Sequence, residues 1–123
     1  MPVSCLSLFA LDLGHRTGVI SDAVILDASQ RLARAAHSRA RVLLFGSRAR
    51  GDARDDSDLD FLVIEEHVEN KLREMATLRD ALPPLGVPVD VVVVSEEEIA
   101  RRGSVPSTLI HRALRDGRVV VTS

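Results

Sequence analysis

Two apolar tetrads, VLLF at residues 42–45 and FLVI at residues 61–64, bracket a polar stretch running from Gly46 to Asp60. Short apolar runs separated by Gly, Ser, Arg and Asp read as a strand, a loop and a second strand. The loop opens on Gly46-Ser47 and closes on Asp58-Leu59-Asp60. In a strand, residues two apart project to the same face, so Asp58 and Asp60 emerge together. Two neighbouring carboxylates repel unless a cation sits between them, and a hard-metal site is the economical reading.

The residue types narrow the chemistry. Magnesium takes oxygen ligands in an octahedron and keeps positions for water and substrate phosphates, so an Asp-x-Asp pair suits it without filling its shell. Gly46 lets the backbone approach a ligand closely. Ser47 offers a hydroxyl and an amide to phosphate oxygens at an expected helix N-terminus, and Arg48 is placed to bind a triphosphate. A phosphate cradle one loop away from a magnesium pair points to nucleotide chemistry. Asp52, Asp55 and Asp56 are also acidic, but they suit a solvated loop.

The remaining pattern predicts a helix from Asp22 onward, capped by Ser21 or Asp22, with Val24, Ile25, Leu26, Leu32, Ala35 and Ala36 as its apolar positions. Strands are expected at residues 41–45 and 59–64. An amphipathic helix over 70–82 presents Leu72, Met75, Leu78 and Leu82 on one side and ends at Pro83-Pro84 and Gly86. Residues 89–94 are β-branched without polar alternation, as expected of a strand buried on both faces. Asp90 is the only carboxylate in that run, and burying it beside valines without a partner would cost several kcal/mol. Ser95 and Glu96–Glu98 cap and charge a short helix. Pro106 starts another through about residue 115, and Asp116-Gly117 turns the chain into a last strand. The expected architecture is α/β (α+β): a small mixed β-sheet with helices packed against it. Residues 1–21 match none of this and are set apart as an N-terminal extension, leaving 22–123 as the domain.

The chain has 123 residues, 46% of them hydrophobic, which suits one domain with one core. A formal net charge of −2 does not advertise binding to nucleic acid. The single cysteine, Cys5, excludes an internal disulfide and fits a reducing compartment. Residues 1–10 are apolar but lack a positive leading region and a cleavage site, and no run approaches a membrane span. A cytoplasmic location is expected. The four histidines, His15, His37, His67 and His111, show no metal-ligand spacing and are read as surface or partly buried residues.

Gly-Ser, ten residues, then Asp-x-Asp resembles the motif of the DNA polymerase beta-like nucleotidyltransferases. The longer string GSRARGDARDDSDLDFLV looks like the minimal branch of that superfamily found in prokaryotic toxin–antitoxin pairs. The resemblance implies the polymerase beta-like fold and a third carboxylate on a later strand, a role that falls to Asp90. It further implies Asp58, Asp60 and Asp90 as catalytic metal ligands for two magnesium ions, and Gly46, Ser47 and Arg48 as nucleotide-binding residues. The implied reaction transfers AMP from ATP to a tyrosine hydroxyl of a HEPN-type ribonuclease toxin, with the two proteins forming a hetero-oligomer. The rival expectation is an antitoxin that neutralises its partner by binding alone. Arg31 and His37 match the R-x(5)-H spacing of such toxins, but strands as numerous as these do not suit their all-helical fold.

Overall fold

The computed structural model describes residues 21–46, 58–102 and 109–123. Ser21 is the N-cap of the first helix, α1 (Asp22–Ala35), and its hydroxyl accepts a hydrogen bond from the Val24 amide at 3.2 Å. Its apolar stripe buries Val24, Ile25, Ala28 and Leu32, while Leu26 faces outward. Two strands follow, β1 (Ala40–Phe45) and β2 (Leu59–Glu65), then α2 (Lys71–Asp80), β3 (Val89–Ser95), α3 (Glu96–Arg102), α4 (Leu109–Asp116) and β4 (Arg118–Thr122). The strands form one mixed sheet in the order β3-β2-β1-β4. β1 pairs antiparallel with β2 and β4, whereas β2 and β3 are parallel, joined through α2.

Alternation along the central strands divides the core into two faces. Val42, Leu44, Leu59, Phe61, Val63, Val91 and Val93 point to the side covered by α1 and α2. Leu43, Leu62, Ile64 and Val94 point to the other, where Ile99 of α3 and Ile110 and Ala113 of α4 meet them. β2 is the spine of the domain, with Leu59, Phe61, Leu62, Val63 and Ile64 all fully buried. The expected mixed sheet with packed helices is therefore the fold observed.

β3 is packed on both faces as expected, Val91 and Val93 on one and Val94 on the other, although it is an edge strand paired with β2 alone among the described residues, and Val89 and Val92 are only half-buried. Two expectations are corrected. Asp90 sits near the open end of that edge and is exposed, so no burial penalty has to be offset there. On α2, Leu72 is 78% exposed, and the inward position beside Leu78 is taken by Glu74. The cap expected at Ser95 is present, its Oγ accepting from the Glu98 amide at 3.1 Å; Asn70 caps α2 as well, its Oδ1 accepting from the Arg73 amide at 3.0 Å. The proposed roles of Ser47, Arg48 and Pro106, and residues 1–20 of the N-terminal extension, lie outside the described residues.

Candidate active site

The parallel register of β2 and β3 sets Asp60 directly opposite Asp90. The Leu59 amide donates to the Pro88 carbonyl at 2.9 Å and locks the two strand starts together. Asp58 immediately precedes β2, on the same side as Asp60, so the three carboxylates converge. One oxygen from each lies within 4.8 Å of the others. Asp58 and Asp90 are exposed and Asp60 is half-buried, which leaves the cluster open to a ligand. All three belong to the face of the sheet covered by α3 and α4.

Partial burial raises the Asp60 pKa above its ordinary value, and the nearby charges of Asp90 and Asp58 push it further in the same direction. Such mutual repulsion is what a divalent cation relieves. Oxygen-only donors in an incomplete, open set fit a hard cation such as magnesium better than a soft one.

Gly46 ends β1 beside this cluster. Its φ of 80° is a conformation that side chains disfavour, and a Cβ built on it would collide with Asp60 Oδ2. The turn is thus folded directly against the acid that stands at the centre of the cluster. Of the sequence-predicted residues, Asp58, Asp60, Asp90 and Gly46 are brought together; Ser47 and Arg48 fall outside the described residues.

A second group of acids lies at the other end of β2 and was not anticipated. Glu65 is fully buried, and one of its carboxylate oxygens, Oε2, has no donor. It lies against Glu74, whose carboxylate accepts from the His37 amide at 2.9 Å and contacts His37 Nδ1. Ser38 Oγ is 3.3 Å from Glu65 Oε1 and also links to the His67 backbone at 2.9 and 3.1 Å. Burial, then the hydrogen bond and charge of Glu74, raise the Glu65 pKa to about 8. Glu74 is lowered: burial opposes this, but the hydrogen bonds from Glu65 and His37 prevail. The raised Glu65 and the lowered Glu74 put the proton of this pair on Glu65 at neutral pH. The sequence did contain a signal, since Glu74 is one helical turn from buried Leu78.

Comparison with known proteins bears on the family of the chain and on its fold. The sequence model of the nucleotidyltransferase domain family matches residues 26–116. Among solved structures, a Sulfolobus solfataricus protein classed as a nucleotidyltransferase superposes with a TM-score of 0.54 at 25% identity, covering 77% of this chain and 74% of that one. A toxin–antitoxin structure with AMP-PNP superposes with a TM-score of 0.55 at 20% identity, covering 80% of this chain and 73% of that one, a likeness of fold. No curated protein matches the chain in sequence. No helix among the described residues is long and apolar enough to cross a membrane.

Proposed function

The chain belongs to the nucleotidyltransferase domain family and is a nucleotidyltransferase; on that premise we propose that it transfers AMP from ATP to a tyrosine hydroxyl of a HEPN-type toxin and acts as its antitoxin. The observation that carries this reading is the convergence of Asp58, Asp60 and Asp90 beside the Gly46 turn. The toxin–antitoxin structure with AMP-PNP supports the partner and the nucleotide class. Residues 22–123 are the catalytic domain in this reading, with 1–21 as an extension to it, working in the cytoplasm as part of a hetero-oligomer.

Asp58 and Asp60 would hold both magnesium ions, and Asp90 would join them at the second, toward the acceptor. Magnesium bound there supplies charge neutralisation for the triphosphate and lowers the pKa of the attacking hydroxyl. In this reading Gly46, Ser47 and Arg48 bind the phosphates of the nucleotide. Asp90 approaches from its own strand and, being exposed, accepts the acceptor's proton. The tyrosine oxygen bonds to the α-phosphorus, the bond from that phosphorus to the bridging oxygen breaks, and pyrophosphate leaves.

The test is incubation of the co-purified partner with this protein, ATP and magnesium, followed by intact-mass measurement. A mass increase of one AMP, absent with Asp60→Asn, is the expected result. A partner that stays unmodified while its toxicity is neutralised would transfer the case to inhibition by binding alone.

A further inference from the structure

α4 reads LIHRALRD, and its spacing sends Ile110 and Ala113 into the core against β1 and β2. Leu109, Arg112 and Asp116, spaced by three and four residues, share another side of the helix. That side lines a cavity of about 150 Å³ together with Phe45 and Gly46. The cavity therefore abuts the same turn that is folded against Asp60.

The position of α4 over this turn is fixed. The Gly117 amide donates to the Ala113 carbonyl at 2.8 Å, closing the helix. Gly117 also sits so near the end of β1 that a Cβ there would lie 3.0 Å from the Leu44 carbonyl. The helix end and the Gly46 turn are thus held as neighbours by backbone packing, and the side chains of α4 inherit that precision.

Charge then distinguishes the residues of this side. Asp116 is engaged by Arg115, whose Nε and Nη2 lie 3.1 and 3.3 Å from its two oxygens. Arg112, one turn earlier, has no hydrogen-bond or ion-pair partner among the described residues. A guanidinium left unpaired beside a backbone turn suits a phosphate group, which it can bind in a bidentate fork. The three carboxylates stand on the same face of the sheet, so a triphosphate whose α-phosphorus lies at the acids can extend its tail along the Gly46 turn toward α4.

We propose that Arg112 is a further substrate-binding residue, holding the terminal phosphates of the nucleoside triphosphate across the Gly46 turn. The proposal rests on the reading of the acid cluster as a magnesium–nucleotide site. It assigns the tail of the substrate to α4 and leaves the α-phosphorus to the aspartates. On pyrophosphate departure Arg112 stays with the leaving group, so it acts on binding and release rather than on the acceptor.

Calorimetry of the full chain with magnesium and three probes, ATP, inorganic tripolyphosphate and AMP, tests it. Arg112→Ala is expected to weaken ATP and tripolyphosphate by roughly 10- to 100-fold, the range for charged hydrogen bonds, and to leave AMP unchanged. Arg112→Lys restores part of the loss, and Arg73→Ala, at the far end of the sheet, leaves all three affinities as they are. Circular dichroism melts confirm that the variants are folded. Unaltered ATP affinity in folded Arg112→Ala, or an equal loss of AMP affinity, would overturn the proposal. Failure of the underlying reading looks different: Asp60→Asn would then bind magnesium–ATP as well as the wild type. A wild-type protein that binds none of the probes would overturn both.

Discussion

Asp60 and Asp90 face each other across two parallel strands, so the register of the sheet itself forces two negative charges together. With Asp58 alongside, folding assembles a repulsion that the unfolded chain does not have. The geometry makes cation binding and stability two readings of one arrangement.

Asp60→Asn should raise the thermal stability of the metal-free protein and abolish its response to magnesium. The sign follows from the raised Asp60 pKa. A carboxyl whose pKa is higher folded than unfolded destabilises the fold increasingly as pH rises from the unfolded value to the folded one. Melts in EDTA at pH 7 should therefore favour the variant. Magnesium at about 100 times its dissociation constant should stabilise the wild type by about 2.7 kcal/mol. An equal magnesium shift in both proteins would show that the ion binds elsewhere.

Gly46→Ala should be damaging twice over. A side chain at positive φ costs about 1–2 kcal/mol, and its Cβ would displace Asp60. Chemical denaturation should show the stability loss, and nucleotide titration a weaker magnesium–ATP complex. By contrast Gly86, also at positive φ but with open space around it, should lose stability on conversion to Ala without losing nucleotide affinity.

Asp90→Asn should separate binding from transfer. Asp58 and Asp60 remain to hold the nucleotide, whereas the residue expected to take the acceptor's proton is gone. Loss of a general base lowers rates by on the order of 10²–10⁴. Magnesium–ATP affinity by calorimetry should fall modestly, while partner modification, followed by intact mass, becomes undetectable on the same timescale.

Glu65→Gln should make the protein less sensitive to alkali. Glu65 has its pKa raised from 4.5 to about 8, so its contribution to stability is full at low pH and is lost between those values. Glutamine keeps a donor for Glu74 and does not titrate. The difference in melting temperature between Glu65→Gln and wild type should grow in the variant's favour across that window and level off above it. A difference that stays flat with pH would mean that Glu65 is ionised throughout.

The legible parts of this molecule were those written locally. The apolar tetrads around residues 42–45 and 61–64 announced two strands, and Asp58, Asp60 and Asp90 stood out because each interrupts or borders such a run. The edge position of β3 was not legible, because pairing between distant segments decides it and the valines read alike at an edge or a centre. Leu72 and Glu74 were exchanged for a similar reason. Helical periodicity favours leucine on the inward stripe, but Glu74 finds Glu65 and His37 waiting there, partners contributed by β2 and by the link between α1 and β1. Arg112 carried no signal as a letter in the sequence; the packing of Gly117 against β1 gave it significance.

The crossover between β2 and β3 bears on the order in which the site comes into being. β1 and β2 are successive antiparallel strands and bring Gly46 to Asp60 by the shorter route. Asp90 arrives only after α2 has folded and β3 has docked in parallel at the sheet's margin, a pairing that closes a longer stretch of chain. Edge elements held on one side are also the first to open in a folded domain. Detachment of β3 would therefore strip the cluster of Asp90 while leaving the Gly46 turn, Asp58 and Asp60 in place. In hydrogen exchange the amides of β3 should report whether the third acid is engaged, independently of the rest of the sheet.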